Sequence, residues 1–281
     1  MKANQSISED RQEYKMKAIS LVFEYDFEKQ LRSGRTWGKD GYKSKDFIFE
    51  YSAASFATFA HHNPGLNHEI LTDDPLLLEE KISKYSVDWS GLNIVDGKSQ
   101  ILEWKKHRYC FYPAMMHLDM YKNVEKQLVK LDNDLECLRP LSGLLGSKDI
   151  LMWKKERNVS SGREYWGERT AARKTFGTDN FSLYNMGVMG FPEGKKITLI
   201  EELVAAGLKM SEADISDVVH FPERPDLKVE MWSCSEQTGY CYVLHKNSLT
   251  VSTVEDYINH HCYGFDSKKD CIDAAKHLLK E

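Results

Sequence analysis

Leu128-Val129-Lys130-Leu131-Asp132-Asn133-Asp134 is the stretch on which the fold turns. An apolar run interrupted by one lysine suits a buried strand, and the acidic triplet ends it. Side chains alternate along an extended chain, so Asp132 and Asp134 point to one side and Asn133 to the other. In open α/β sheets, ligands bind at the carboxyl ends of the strands. Two hard carboxylates placed there suit Mg²⁺ or Mn²⁺ and leave coordination positions for phosphate oxygens. The competing reading is an Asp-rich turn in solvent. Against it, this is the chain's only D-x-D, and it follows an apolar strand directly.

Outward from this strand, the pattern alternates. Ala18-Ile19-Ser20-Leu21-Val22-Phe23 reads as a first buried strand. Lys45 to Ala60 carries Phe47, Tyr51, Ala54 and Ala57 at helical spacing, and Asn63-Pro64-Gly65 stops it. Glu69 to Thr72 is expected as a strand, with helices over Pro75 to Tyr85 and Pro113 to Val124. Further strands are expected over Asp149 to Trp153, Tyr184 to Phe191 and Val251 to Val254. Helices are expected over Ile197 to Ala206, Lys228 to His245 and Asp266 to Lys280, the last with Ile272, Ala275 and Leu279 on one face. Strands alternating with helices predict an α/β fold around a mostly parallel sheet. No repeat or low-complexity linker divides the chain. The expected organisation is a flexible stretch over residues 1–14 and one domain over residues 15–281.

Composition excludes several classes. The 281 residues carry 38 Lys+Arg against 43 Asp+Glu, a net charge of −5, so no basic footprint for nucleic acid is present. No apolar run reaches the roughly 20 residues that span a bilayer, which leaves only peripheral membrane association open. The six cysteines are scattered without a C-x-x-C pair, and Met1 to Tyr14 has no apolar core. Reduced thiols and a cytoplasmic location follow.

Three later stretches could carry chemistry. Asn185 and Gly187 interrupt the apolar segment Phe181 to Phe191, where an amide can bond a polyhydroxyl ligand and a glycine removes bulk. Glu236 and Gln237 pair a carboxylate with an amide, a combination that suits sugar hydroxyls. In Ile258-Asn259-His260-His261-Cys262-Tyr263-Gly264-Phe265-Asp266-Ser267-Lys268, an imidazole could complete a carboxylate metal shell. Gly264 would let a phosphate approach the backbone and Lys268 would add a point charge. Each of these also has an ordinary reading: a strand bulge, an exposed helical face, a surface histidine pair.

In order, LDNDLECL, YNMGVMGF, SEQ and HHCYGFDSK resemble the motifs of GT-A-fold glycosyltransferases, the nucleotide-diphospho-sugar transferases, nearest to the branch of glycogenin and the lipopolysaccharide galactosyltransferases. The resemblance runs from Ala18 to Lys268. It implies a transferase that moves a sugar from a nucleotide-diphosphate donor, with UDP-sugars favoured, to a carbohydrate or glycolipid hydroxyl with retention of configuration. It implies Mn²⁺ or Mg²⁺ held by Asp132, Asp134 and His261, with His260 as the alternative ligand. Gly264 and Lys268 would hold the diphosphate, Asn185 and Gly187 would line the sugar site, and Glu236 with Gln237 would face the transferred sugar. The sequence departs from the family in having Glu236 in place of Asp, Lys268 one residue late, and Lys269 where proline is usual. A nucleotide-sugar-binding module without activity is the alternative. A nucleotidyltransferase is disfavoured, since Gly34-Arg35-Thr36-Trp37-Gly38-Lys39-Asp40 falls short of a phosphate loop. The charged stretch Lys154 to Lys174, with Arg163 and Arg169, is expected as a loop covering the donor or meeting an acidic acceptor.

Overall fold

A computed structural model describes residues 16–24, 44–107, 109, 111–123, 126–161, 168–194, 196–212, 235–262 and 264–281. Outside the described residues lie the first 14 residues, the segment Gly34 to Asp40, Arg163 and the 228–234 portion of one expected helix.

The sheet grows from its first strand. β1 (Met16–Val22) pairs in parallel with β2 (Asn67–Thr72) on one side and with β4 (Gln127–Leu131) on the other, and β3 (Leu92–Asp96) extends the β2 edge in parallel. Beyond β4 comes β9 (Val188–Phe191), antiparallel to both β4 and β6 (Ile150–Met152), and β10 (Val251–Thr253) closes the far edge parallel to β6. The seven-strand order is β10-β6-β9-β4-β1-β2-β3. The expected mostly parallel α/β sheet is present, and β9 is the strand that runs antiparallel within it. Because the chain leaves β1 for one side and later returns on the other, the carboxyl ends of β1 and β4 form a switch point, where open sheets place their ligands.

The central strands β1, β4, β6 and β9 are buried on both faces, so they are mostly apolar rather than alternating, whereas the edge strands β3 and β10 are partly exposed. Ile19, Leu128, Ile150, Met152, Met189 and Phe191 pack on one face against α4 (Tyr112–Asp119), α6 (Lys196–Ser211) and α7 (Ser235–Lys246). Ala18, Val129, Leu131, Leu151 and Val188 pack on the other with Phe59 of α1 (Lys45–His62).

Helix α1 also carries buried polar residues, and they have a purpose. The short strand β5 (Leu135–Cys137), which follows the acidic triplet, bonds on one side only to β11 (Ile258–His260), in an antiparallel pair. Its remaining amides are satisfied by α1: Leu135 N donates to Ser55 Oγ at 3.2 Å and Cys137 N to Thr58 Oγ1 at 2.9 Å. Asn133 Nδ2 reaches Ser52 Oγ at 2.9 Å, and Leu141 N donates to Asn63 Oδ1 at 2.7 Å. A polar stripe at helical spacing thus pins the segment just after β4.

Several expected elements differ in extent. The segment Tyr184 to Phe191 is not one strand. Ser182–Tyr184 forms β8, which pairs with β7 (Lys155–Asn158), and the chain breaks at Asn185 before entering β9. The break is local chemistry: Asn185 Oδ1 accepts from Gly187 N at 2.9 Å, an Asx-type turn. The charged stretch from Lys154 is not a plain loop. Within the described residues it contains β7 and the helix α5 (Glu168–Phe176). The terminal helix is α8 (Gly264–Ala274), shorter than expected because Ser86 N and Lys84 O capture Leu278 O and Lys280 N, at 2.7 and 2.8 Å. Two further helices complete the described set, α2 (Pro75–Ile82) and α3 (Lys98–Lys105). No helix among the described residues is long and apolar enough to cross a membrane.

Two stability predictions follow from this packing. Asn63→Ala strands the buried Leu141 amide and should cost about 1–3 kcal/mol in urea unfolding. Burial pushes the imidazoles of His68 and His117 down to about 3. In the unfolded chain each takes a proton near pH 6.5, whereas in the folded chain neither does until about pH 3. The stability is therefore complete above pH 6.5 and should fall by roughly 1.4 kcal/mol per pH unit for each histidine as the pH drops towards 3. Both His117 nitrogens lack a hydrogen-bond partner, so His117→Leu should flatten the profile without stranding a donor. Urea midpoints between pH 7 and 4 check both points.

Candidate metal and sugar site

The acidic triplet lies where β4 ends, and its backbone is tied down on both sides. Asp132 N donates to Gly187 O at 2.8 Å, and His261 N donates to Asp134 O at 2.9 Å. The first bond joins the triplet to the Asn185 turn and the second joins it to β11. The register of β11 on β5 sets His260 opposite Leu135, one residue beyond Asp134.

Three acceptor-bearing side chains converge there. One ligand atom from each of Asp132, Asp134 and His260 lies within 4.8 Å of the others. His260 Nε2 is 3.0 Å from Asp134 Oδ1 and 3.8 Å from Asp132 Oδ2. The outer oxygens of both carboxylates are taken, Asp132 Oδ1 by Lys130 Nζ and Asp134 Oδ2 by Lys268 Nζ. The inner oxygens face the imidazole. Asp134 Oδ1 is buried without a hydrogen-bond partner despite the nearby ring, because the approach does not have hydrogen-bond alignment. A buried carboxylate oxygen left in this way is costly unless a cation faces it. Hard oxygens with one imidazole suit Mg²⁺ or Mn²⁺. The Asp132 side chain is 37% exposed against 11% for Asp134 and 5% for His260, so a ligand reaches the cluster from the Asp132 side.

His260 is held on every side. Its Nδ1 bonds Asn185 Oδ1 at 3.0 Å, and its ring meets the Trp153 indole edge-on at 5.0 Å between centroids. Trp153 is anchored in turn, donating Nε1–H to Ile258 O at 2.8 Å. A Cβ on Gly187 would land on the His260 ring, so this glycine makes room for an imidazole of the same chain.

The sequence-derived residues thus fall into groups. Asp132, Asp134, Asn185, Gly187 and Lys268 come together with His260. His261, named as the third ligand, points the other way: its Nε2 lies 3.1 Å from Glu136 Oε2. Neighbouring strand residues face opposite sides, so only one of the two histidines can join the aspartates. The bond to His261 is also the main reason the Glu136 carboxyl sits below its ordinary range. Gly264 opens α8, just after this strand, with Lys268 one turn further on. Lys268 is buried, and its ammonium lies 5.3 Å from the centre of the Tyr51 ring.

Glu236 and Gln237 lie in the first turn of α7, beside the Asn185 turn. Tyr109 OH donates to Glu236 Oε2, and Gln237 Nε2 donates to Glu156 Oε2 at 3.2 Å. Glu156 Oε1 also accepts from Asn185 Nδ2 at 3.0 Å, so one carboxylate links the two amides. Burial, reinforced by the Glu236 carboxylate, pushes the Tyr240 hydroxyl well above its ordinary range. Glu156, Tyr109 and Lys130 are additions that the motif reading does not contain. Lys130 could have been found, since it shares the Asp132 side of β4 by alternation. Glu156 is disguised by the charged run around it.

No family model matches the chain, and no curated protein matches it. Among solved structures, an active-site mutant of LgtC superposes with a TM-score of 0.52 at 10% identity, covering 95% of this chain and 97% of that one. The galactosyltransferase LgtC with donor and acceptor sugar analogues gives 0.49 at 11% identity, over 95% and 97% of the two chains. Mouse xyloside xylosyltransferase 1 gives 0.48 at 9% identity, over 85% and 84%. At these identities the likeness is one of fold, and the fold is the GT-A-like one that the motif order resembles.

Gly187→Ala tests the packing of the site. The added methyl must displace the His260 ring, and a cost of about 1–3 kcal/mol in thermal unfolding is expected.

Proposed function

We propose that the protein is a metal-dependent glycosyltransferase that moves a sugar from a nucleotide-diphosphate donor to an acceptor hydroxyl. The observation that carries this reading is the buried, unpartnered Asp134 oxygen facing His260 and Asp132 at the switch point of a GT-A-like sheet. Asp132, Asp134 and His260 would hold the cation, with His260 in the place given above to His261.

In the reaction, the bond from the anomeric carbon to the diphosphate breaks and a bond from the acceptor oxygen to that carbon forms. The acceptor proton passes to the departing diphosphate, so the products are the glycoside and the protonated nucleoside diphosphate. Bound by Asp132, Asp134 and His260, a divalent cation would supply positive charge against the departing diphosphate. Lys268, held beside Asp134, adds a fixed positive charge on the same side, as phosphate-transferring sites commonly do. α8 starts at Gly264, and the first amides of a helix have no partner within it and favour anionic groups. Glu236 and Gln237 would contact the transferred sugar, with Tyr109 and Glu156 setting their orientation. A UDP-sugar donor, a carbohydrate or glycolipid acceptor and retention of configuration are supported by the motif resemblance. A cytoplasmic setting is supported by the free thiols of Cys137, Cys241, Cys262 and Cys271.

The test is Mn²⁺-dependent turnover of a UDP-sugar panel, with hydrolysis of the donor as the readout when no acceptor is supplied. Asp132→Asn, at the more exposed ligand, and Asp134→Asn should each lower turnover on the order of 10²-fold or more. Turnover unchanged in both variants contradicts a metal role. Donor binding without turnover in the wild type would instead support the binding-module reading.

A further inference from the structure

We propose that Asn185 is a positioning residue that fixes which imidazole nitrogen of His260 faces the aspartates, and that Glu156 holds the Asn185 amide in the orientation this requires. The inference rests on the metal reading above for its purpose, and on the geometry alone for its content.

The two ends of the Asn185 amide are distinguished by their neighbours. Nδ2 lies 3.0 Å from Glu156 Oε1, a carboxylate that only accepts, and Oδ1 lies 2.9 Å from Gly187 N, an amide that only donates. Reversing the amide would set oxygen against oxygen and N–H against N–H. Oδ1 is therefore an acceptor towards its remaining neighbour, His260 Nδ1 at 3.0 Å, and that nitrogen must carry the hydrogen. A neutral imidazole has one ring hydrogen, so Nε2 is left with its lone pair aimed at Asp134 Oδ1 and Asp132 Oδ2.

The alternative tautomer shows why this matters. With the hydrogen on Nε2, the ring could turn slightly and donate to Asp134 Oδ1, already 3.0 Å away. The cluster would then satisfy itself internally, and a cation would have to break that bond before binding. Asn185 keeps the ring in the ligand form. Partners that orient a metal-binding histidine commonly contribute 10- to 100-fold to metal affinity. Glu156 completes the device from the surface and, through its other oxygen, ties Gln237 to the same turn. The Asn185 oxygen is taken by Gly187 N and His260 Nδ1 and one amide hydrogen by Glu156, which leaves the other amide hydrogen for the sugar contact that the motif resemblance implies.

The test needs no substrate. In metal-free protein labelled with ¹⁵N-histidine, long-range ¹H–¹⁵N correlation should show His260 with its hydrogen on Nδ1. In Asn185→Ala the Nε2–H form should dominate, and the Kd for Mn²⁺ should rise roughly 10- to 100-fold. The double variant Asn185→Asp with Glu156→Gln exchanges acid and amide while conserving every donor–acceptor pair, and it should restore both the Nδ1–H form and the Mn²⁺ affinity. The exchange also decides the matter if Asn185→Ala does not fold. A wild-type ring carrying its hydrogen on Nε2 would overturn the proposal, as would Asn185→Ala with unchanged tautomer and affinity. A wild-type Nδ1–H ring in a protein that takes up no Mn²⁺ would uphold the positioning role and overturn the metal reading.

Discussion

Two carboxylate oxygens and one imidazole nitrogen meet at the end of β4, and what has to lie between them governs this molecule. The lysines at the edges, Lys130 and Lys268, bond the outer oxygens, and Asp134 Oδ1 is left without a hydrogen bond. With His260 in the Nδ1–H form proposed above, the inner atoms all carry lone pairs, and four separate pieces of chain hold them together. Such an arrangement is disfavoured without a cation, which is what the proposed metal role asks of a preorganised site.

The fold supplies that lock in layers. The parallel β1–β4 pair, buried on both faces, fixes where the acidic triplet emerges. The serine, threonine and asparagine stripe of α1 fixes the direction the chain takes afterwards, and β11 brings in His260 by antiparallel pairing with β5. The turn at Asn185 presents its carbonyl to Asp132 and its glycine to the imidazole. None of these contacts is strong by itself. Their convergence makes the site rigid.

Much of this was legible in the sequence, because it depends on patterns that a single segment carries. The apolar run before Asp132 predicted β4, and alternation put both aspartates on one side. The parallel sheet followed from helices set between strands. What escaped depends on partners far along the chain. His260 and His261 are adjacent, and only the register of β11 on β5 decides between them. Gly187 reads as space for a ligand until the His260 ring is seen to occupy it. The break at Asn185 is hidden because the residues on either side are good strand formers. Glu156 belongs to a run of charges that usually faces solvent, and its two amide partners are distant in sequence. β5 and β11 are three residues each, too short to show a period.

The most direct measurement is anomalous diffraction from a crystal grown with Mn²⁺ and UDP. The expected result is a single strong peak bounded by Asp132, Asp134 and the Nε2 of His260, with the diphosphate on its open side and His261 still on Glu136. A peak elsewhere, or none with UDP bound, would contradict the central claim.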